Sequence, residues 1–215
     1  MEINFQRSRA LNNIPLSKIQ EKLRIISLSC EECKTKHLKD GDVLCKKCSY
    51  TTIAFNRFAE SNIPIEYWSL KMEKDFKGDP RLLTKYEEIA TDIRGNFVKG
   101  FAICFAGSHG LGKTLSSTCL LKKACIKGFS SLYTTLSDIV NVLIQAPNEE
   151  KYLARKELTM VDFLVIDEFD SRFISNDLAA DLYARTLESV FRTRSSNKLP
   201  TIMCTNSPNA LEAFN

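Results

Sequence analysis

The chain has 215 residues, of which 44% are hydrophobic and 26% charged, and its formal net charge is +4. These values are typical of a globular protein and exclude a largely disordered chain, a collagen and a long coiled coil. No apolar run approaches the roughly 18 residues of a membrane-spanning helix. The first residues also lack the apolar stretch of a secretory signal, so we expect no membrane contact and a cytoplasmic location.

The excess positive charge is confined to the N-terminal segment. Residues 1–50 contain 10 Lys and Arg against 6 Asp and Glu, whereas the remaining 165 residues contain 20 of each. An acidic partner such as nucleic acid could meet this segment. A solvated basic arm would explain the same surplus, and both interpretations stay open at this point.

The N-terminal segment also contains two Cys-x-x-Cys pairs, formed by Cys30, Cys33, Cys45 and Cys48. Such a doubled pair can present four thiolates to one tetrahedral ion, and Asp40-Gly41-Asp42 is a turn signal that lets the chain return. We therefore predict a structural Zn²⁺ site with these four ligands, in which His37 is an alternative ligand to one cysteine. Disulfide bonds are the competing interpretation, and they fit poorly with a chain that shows no export signal.

The first predicted helix covers residues 16–28, where apolar residues recur at helical spacing. The segment that follows the cysteines contains Ile63-Pro-Ile-Glu-Tyr-Trp68, which is too aromatic for an idle linker. Asp79-Pro80 then starts a helix whose apolar face continues to Phe97.

Strands and helices alternate over the rest of the chain. We predict strands at 101–106, 131–135, 161–166 and 200–205, with helices at 113–127, at 137–145, after Pro147 and at 176–194. Alternation on this length scale is typical of an α/β fold with a parallel sheet flanked by helices on both faces.

The segment from Gly107 to Thr114 matches the phosphate-binding pattern GxxxxGK[ST], and it lies between a predicted strand and a predicted helix. Glycines allow the backbone N–H groups to surround phosphates at the positive end of the helix dipole. Lys113 should reach the β- and γ-phosphates, and Thr114 should bind Mg²⁺. The predicted ATP- or ADP-binding residues are Gly107, Ser108, His109, Gly110, Leu111, Gly112, Lys113, Thr114 and Leu115.

An acidic pair, Asp167 and Glu168, follows the apolar run of the third predicted strand. Asp167 should help hold Mg²⁺, directly or through water, and Glu168 is placed to deprotonate an attacking water. A solvated turn is the alternative. Asn206 follows the last strand and would lie beside this pair if the two strands are neighbours. The predicted catalytic residues are therefore Lys113, Asp167, Glu168 and Asn206.

The order GSHGLGKT, LYTTLSDIV, VDFLVIDEFD, a long helix and LPTIMCTN resembles the AAA+ ATPases of the DnaC/DnaI helicase-loader group. It is also similar to the IstB transposition helper ATPases. By this resemblance, Lys113 and Thr114 form Walker A, Asp167 and Glu168 form Walker B, and Asn206 is sensor 1. The resemblance further implies that Ile63 and Tyr67 lie near the adenine. The cysteine segment resembles the DnaI N-terminal domain, which binds zinc and the replicative helicase.

The same resemblance implies a strand order of 5-1-4-3-2, an arginine finger and a helical lid beyond sensor 1. This chain stops nine residues after Asn206. We therefore expect the C-terminal part of the AAA+ module to be missing and the phosphate-loop strand to lie at an uncovered edge. Arg192 and Arg194, at the end of the long helix, either face a neighbour or DNA or are solvated helix-end charges.

These observations divide the chain into a zinc- and partner-binding module at 1–50, a connector at 51–79 and an AAA+ ATPase core at 80–215. The resemblance implies a helicase loader that hydrolyses ATP slowly without its partner. Its partners would be a ring helicase of the primosome and single-stranded DNA, and it would form a homo-oligomer when ATP is bound. The alternatives are an IstB-like transposition helper and a nucleotide-binding zinc adaptor without significant turnover.

Overall fold

The computed structural model describes residues 11, 14–29, 45–169 and 178–207, and only the backbone of 26–29 and 178–184. In this part of the chain, helices flank a parallel sheet. The helices are α1 (Leu16–Ser29), α2 (Lys46–Glu60), α3 (Met72–Asp75), α4 (Pro80–Thr91), α5 (Ile93–Lys99), α6 (Lys113–Ile126), α7 (Leu136–Gln145), α8 (Asn148–Met160) and α9 (Leu178–Ser196). The strands are β1 (Ala102–Ala106), β2 (Ser131–Thr135), β3 (Phe163–Asp167) and β4 (Thr201–Thr205).

The four strands are parallel and lie in the order β1-β4-β3-β2. This agrees with the order expected from the sequence, and it makes β1 an edge strand within the described residues. Ala106 pairs with Thr205 at the end of β1, and Thr135 pairs with Asp167 at the end of β2. The carboxyl ends of all four strands therefore meet at one edge of the sheet. Ligands of open α/β folds bind at this edge.

Two hydrophobic clusters cover the two faces of the sheet, and β3 contributes to both. Phe163 and Val165 belong to the cluster around α6, whereas Leu164 and Ile166 belong to the cluster around α7 and α8. Every residue of β3 is buried. A strand that is buried on both faces has a continuous apolar sequence. The apolar run FLVI therefore correctly predicted a buried strand.

The aromatic segment before residue 79 belongs to the core, as its composition predicted. Trp68 packs edge-on against Phe55 and Phe58 of α2, with ring centroids 5.1 and 6.4 Å apart. Its indole N–H donates to the Ile63 carbonyl at 2.7 Å. Helix α2 packs in turn on α6. The boundary predicted at residue 50 therefore falls inside a helix that contacts α6.

The single helix predicted from residue 80 to about 97 is interrupted at Asp92. This residue has φ −131° and ψ 71°, and its carboxylate accepts the Gly95 N–H at 2.8 Å. Asp92 thus ends α4 and caps α5 at the same time. The apolar spacing continues across the break, so hydrophobic periodicity alone did not reveal it.

Arg194 is only 1% exposed, and both interpretations offered for it from the sequence are wrong. The guanidinium lies at the amino end of the sheet, where it donates to Thr201 Oγ1 and to the carbonyls of Leu158, Val161, Asp162 and Pro200 at 2.7–3.4 Å. Burial lowers the pKa of Arg194 to about 10, so it stays charged at neutral pH. Arg192 is exposed and forms an ion pair with Glu188.

None of the helices within 14–29, 45–169 and 178–207 combines the length and apolar character that crossing a membrane requires.

Candidate functional site

A cavity of about 310 Å³ opens at the carboxyl edge of the sheet. It brings together the glycine-rich loop, the acidic pair and the residue after β4. Among the predicted site residues, His109, Gly110, Gly112, Lys113, Thr114, Leu115, Asp167, Glu168 and Asn206 line it, and Tyr67, Cys204 and Thr205 complete the wall. Gly107, Ser108 and Leu111 belong to the same loop without lining the cavity. Residues from four separate segments thus converge on one space.

The loop between β1 and α6 is held from two sides. The Gly107 N–H donates to the Thr205 carbonyl at 3.2 Å, and the Asp79 N–H donates to the Leu111 carbonyl at 3.3 Å. Gly112 caps α6 with φ +84°, and a Cβ atom there would lie 2.5 Å from the Phe76 ring. Backbone conformation and space therefore both require glycine at this position.

Lys113 is the first residue of α6 and is only 7% exposed. Its ammonium donates to the carbonyls of Gly107 and Ser108 at 2.8 and 2.7 Å. These bonds hold the charge inside the loop, at the helix end where N–H groups and the macrodipole favour an anion. This arrangement suits an anion such as a phosphate group.

Tyr67 approaches the cavity from a 3-10 turn formed by Ile65–Tyr67. Burial, Glu66 and Asp167 raise the pKa of the phenol, and a hydrogen bond with Thr114 opposes this shift. The Lys122 ammonium holds the turn by donating to the Tyr67 carbonyl at 2.6 Å. The structure thus brings Tyr67 close to the two predicted Mg²⁺ ligands. Ile63 is fully buried in the core and does not line the cavity.

Asp167 ends β3 and is only 5% exposed. Its Oδ2 accepts the Tyr133 hydroxyl at 2.8 Å, and its Oδ1 accepts the Glu168 N–H at 2.8 Å. Burial and the nearby Asp167 raise the pKa of Tyr133, which keeps the phenol protonated as the donor. The carboxylate is therefore held on both oxygens.

Glu168 adopts a left-handed backbone conformation with φ +51°. The next residue, Phe169, then turns into the core, where its N–H donates to the Cys204 carbonyl at 2.8 Å. The Glu168 side chain remains exposed and lines the cavity. Strained non-glycine residues of this kind cluster at functional sites.

Asn206 follows β4, which lies between β1 and β3. Its position is therefore between the phosphate loop and the acidic pair, and it is exposed to the cavity. Two residues earlier, the buried Cys204 thiol donates to the Lys113 carbonyl at 3.7 Å. Burial is the main cause that raises the pKa of this thiol, so Cys204 serves as a small core residue.

The oxygen atoms at this edge suit Mg²⁺. The Thr114 hydroxyl and the Asp167 carboxylate are hard ligands that border the same cavity. Proteins typically bind Mg²⁺ through one or two such groups, while water and substrate phosphates supply the remaining ligands. The residues present therefore fit a nucleotide bound together with Mg²⁺.

Two of the predicted zinc ligands, Cys30 and Cys33, lie outside the described residues, and so does His37. Cys45 caps α2, and the Cys48 N–H donates to its sulfur at 3.4 Å. Both residues are buried. Over the part of the chain that the structure describes, no three His, Cys, Asp or Glu side chains form a group that could hold a metal ion.

Sequence analysis identified the loop and the acidic pair but missed Tyr133, which it treated only as part of a strand. The predicted strand order did place β2 beside β3. The missing information was the register between these strands, which decides whether the phenol reaches Asp167.

The parallel sheet, the glycine-rich loop and the acidic pair define this molecule as a P-loop nucleotide-binding protein. The family described as IstB-like ATP binding protein matches residues 87–208, which is more than half of the chain. The chain belongs to this family.

One curated relative is the replicative helicase loader DnaC of Escherichia coli K12, which is 28% identical over 137 residues. The match covers 61% of this chain and 51% of DnaC, so the chain spans about half the length of the curated relatives it matches.

Two solved structures show the same fold. The first is AMPPCP-bound DnaA from Aquifex aeolicus, with a TM-score of 0.56 at 19% identity over 71% of this chain and 46% of that one. The second is the DnaC helicase loader, with a TM-score of 0.55 at 20% identity over 70% of this chain and 90% of that one. The α/β sheet described above therefore has the same fold as the matching parts of these two structures.

Proposed function

We propose that this protein is an ATP-driven helicase loader that acts in the initiation of DNA replication. The observation that carries the proposal is the single cavity shared by Lys113, Asp167 and Glu168 at the amino end of α6. In the proposed cycle, ATP binding and slow hydrolysis change the conformation of the protein. That conformation then controls a complex with a ring helicase and single-stranded DNA.

Five of the side chains that line the cavity have a role in the proposed hydrolysis. Lys113 and the loop N–H groups hold the β- and γ-phosphates, while Thr114 and Asp167 hold Mg²⁺, directly or through water. When bound, Mg²⁺ would neutralise charge on the phosphate oxygens. Glu168 orients the attacking water and accepts its proton. The Asn206 amide polarises that water or contacts the γ-phosphate.

The N-terminal module at 1–50 is proposed to bind Zn²⁺ through Cys30, Cys33, Cys45 and Cys48 and to hold the helicase. The N–H···S contact between Cys48 and Cys45 supports this assignment, because the first turn of a helix favours a thiolate. Helix α2 begins beside Cys45 and packs on α6, which itself begins at Lys113. A contact between two helices thus links the proposed module to the ATPase core at 80–215, and residues 51–79 lie between them.

The zinc proposal is tested by metal analysis of protein prepared without added metal. A closed site of four thiolates should retain about one Zn²⁺ per chain, because it leaves no open ligand position. Changing all four cysteines to serine should remove the metal. Zinc retained by that variant, or a stable pair of disulfides in the unaltered protein, would contradict the assignment.

A transposition helper is the second candidate, and the family match favours it because the family is named for IstB. The N-terminal cysteines mildly disfavour it. The third candidate is a zinc adaptor, which differs from the loader because it binds nucleotide without significant ATP hydrolysis.

The three candidates are separated by capture on a purified ring helicase and by binding to duplex DNA, each with and without ATP and Mg²⁺. A loader should retain the helicase in an ATP-dependent manner and oligomerise when ATP is bound. Assembly on duplex DNA without helicase capture would favour the transposition helper. Helicase capture without detectable ATP turnover, even with single-stranded DNA present, would favour the adaptor.

A further inference from the structure

We propose that Tyr133 is a positioning residue that orients Asp167 for Mg²⁺, an inference that rests on the proposed nucleotide site. The Tyr133 hydroxyl donates to Asp167 Oδ2 at 2.8 Å, and this contact is buried. Tyr133 itself does not line the cavity. Tyr133 would therefore act on a ligand through the Asp167 carboxylate.

The register of the sheet makes this contact possible. Tyr133 pairs with Val165 and Thr135 pairs with Asp167. Since side chains alternate along a strand, all four residues point to the same face of the sheet. Tyr133 is therefore the diagonal neighbour of Asp167, and its hydroxyl reaches the carboxylate.

Thr135 lies directly opposite Asp167, but its hydroxyl is hydrogen-bonded to Asp138. The Thr135 hydroxyl accepts the Asp138 N–H at 3.1 Å and donates to the Asp138 carboxylate at 2.8 Å. It thereby caps α7. The longer Tyr133 side chain supplies the hydroxyl donor to Asp167 in its place.

The backbone of Tyr133 is fixed on both sides. β3 pairs with one edge of β2, while on the other edge the Tyr133 N–H donates to the Ser61 carbonyl at 2.8 Å. The Asn62 amide donates to the Tyr133 carbonyl at 3.0 Å. The ring is 8% exposed and packs in the hydrophobic core. With backbone and ring both held, the phenolic oxygen has a defined position.

This hydrogen bond fixes the orientation of a buried ligand group. The Glu168 N–H holds Oδ1 of Asp167, and the Tyr133 hydroxyl holds Oδ2. Without the hydroxyl, the carboxylate could rotate about its last torsion angle. Outer partners that orient a metal ligand in this way typically contribute about 10- to 100-fold to metal affinity.

The test compares Tyr133→Phe with Tyr86→Phe, a matched control that removes a hydroxyl from another buried tyrosine of the same core. ADP binding is titrated by calorimetry in EDTA and at increasing Mg²⁺ concentrations, and thermal melting is recorded for each protein. Mg²⁺ is expected to raise the affinity for ADP. The Mg²⁺ concentration that gives half of this increase should be about 10-fold higher for Tyr133→Phe than for the unaltered protein. The affinity of Tyr133→Phe for metal-free ADP should match that of the unaltered protein. Tyr86→Phe should leave both quantities unchanged.

Three results would overturn the inference. An unchanged Mg²⁺ dependence in Tyr133→Phe would show that the hydroxyl does not orient Asp167, while the proposed nucleotide site would stand. Equal losses of ADP affinity with and without Mg²⁺ would assign Tyr133 a structural role only. If the unaltered protein bound no nucleotide, the proposed function and this inference would both fail.

Discussion

Both ends of the sheet contain buried charged side chains, but the surroundings of these charges differ. At the amino end, the Arg194 guanidinium is enclosed by backbone carbonyls and the Thr201 hydroxyl. At the carboxyl end, Lys113 and Asp167 border an open cavity, and Glu168 adopts a strained backbone conformation. Charge that is fully matched by its surroundings stabilises a fold, whereas charge that faces a cavity can act on a ligand.

The amino end is a hydrogen-bonded junction between several elements. Arg194 of α9 reaches the end of α8 through the Leu158 carbonyl and the start of β4 through the Pro200 carbonyl. Beside it, the Asp162 carboxylate accepts the Ser130 N–H and hydroxyl at 2.8 and 2.9 Å. These contacts join the segments that lead into β2, β3 and β4. We therefore expect substitutions there to change stability and to leave nucleotide binding intact.

The largest effect is expected for Arg194→Met. This change removes the donor from several buried carbonyls, and breaking such a buried charged network typically costs about 3–5 kcal/mol. Denaturant unfolding measures the loss. Arg192→Met is the matched control, because its exposed ion pair with Glu188 should contribute less than about 1 kcal/mol. Similar losses in the two variants would contradict the structural role assigned to Arg194.

At the other end, Lys113→Ala should lower the affinity for nucleotide by about 10²-fold or more. The change removes a charge-assisted contact to phosphate, which contributes up to about 3 kcal/mol. Binding of a fluorescent ATP analogue measures this effect, and circular dichroism should show an intact fold. Lys127→Ala, an exposed change just after the same helix, serves as the control. Unchanged ATP affinity in Lys113→Ala would refute the assignment of the phosphate loop.

Glu168→Gln should separate binding from chemistry. The amide keeps the size of the side chain and removes the base, so ATP should bind normally and hydrolyse at least about 10²-fold more slowly. Single-turnover hydrolysis with Mg²⁺ and single-stranded DNA is the measurement. Glu149→Gln, an exposed change on helix α8, which does not line the cavity, should hydrolyse ATP at the rate of the unaltered protein. Equal rates in the two variants would show that Glu168 is not the base.

The smallest effect is expected for Ser130→Ala at the amino end. It removes the hydroxyl that bonds Asp162 and should lower the free energy of unfolding by about 1 kcal/mol. Nucleotide affinity should not change, because the site lies at the opposite ends of the strands. A parallel loss of ATP affinity would show that the two ends of the sheet are coupled, and it would break the comparison made above.

The sequence was informative where local chemistry determines the structure. The strands were located to within about two residues, because runs such as FLVI are buried on both faces. The phosphate loop was recognised because its glycines and its position between strand and helix follow from the geometry of anion binding. The acidic pair could be placed because parallel strands end at a common edge.

Other features depend on tertiary packing that no local pattern records. The local sequence around an arginine at a helix end does not show whether the side chain is solvated, faces DNA or is buried. Arg194 is buried because α8 and β4 approach the end of α9. Tyr133 is an ordinary strand residue until the register with β3 is known. The helix break at Asp92 could not be predicted without the contact between its carboxylate and the Gly95 N–H.

The left-handed turn at Glu168 has a consequence for which amino acids this position can accept. At φ +51°, glycine, asparagine and aspartate are favoured on conformational grounds, while glutamate costs about 1 kcal/mol. A residue chosen for stability would therefore differ from the residue proposed for proton transfer. If Glu168 is the base, selection for growth and selection for thermal resistance should enrich different amino acids at position 168.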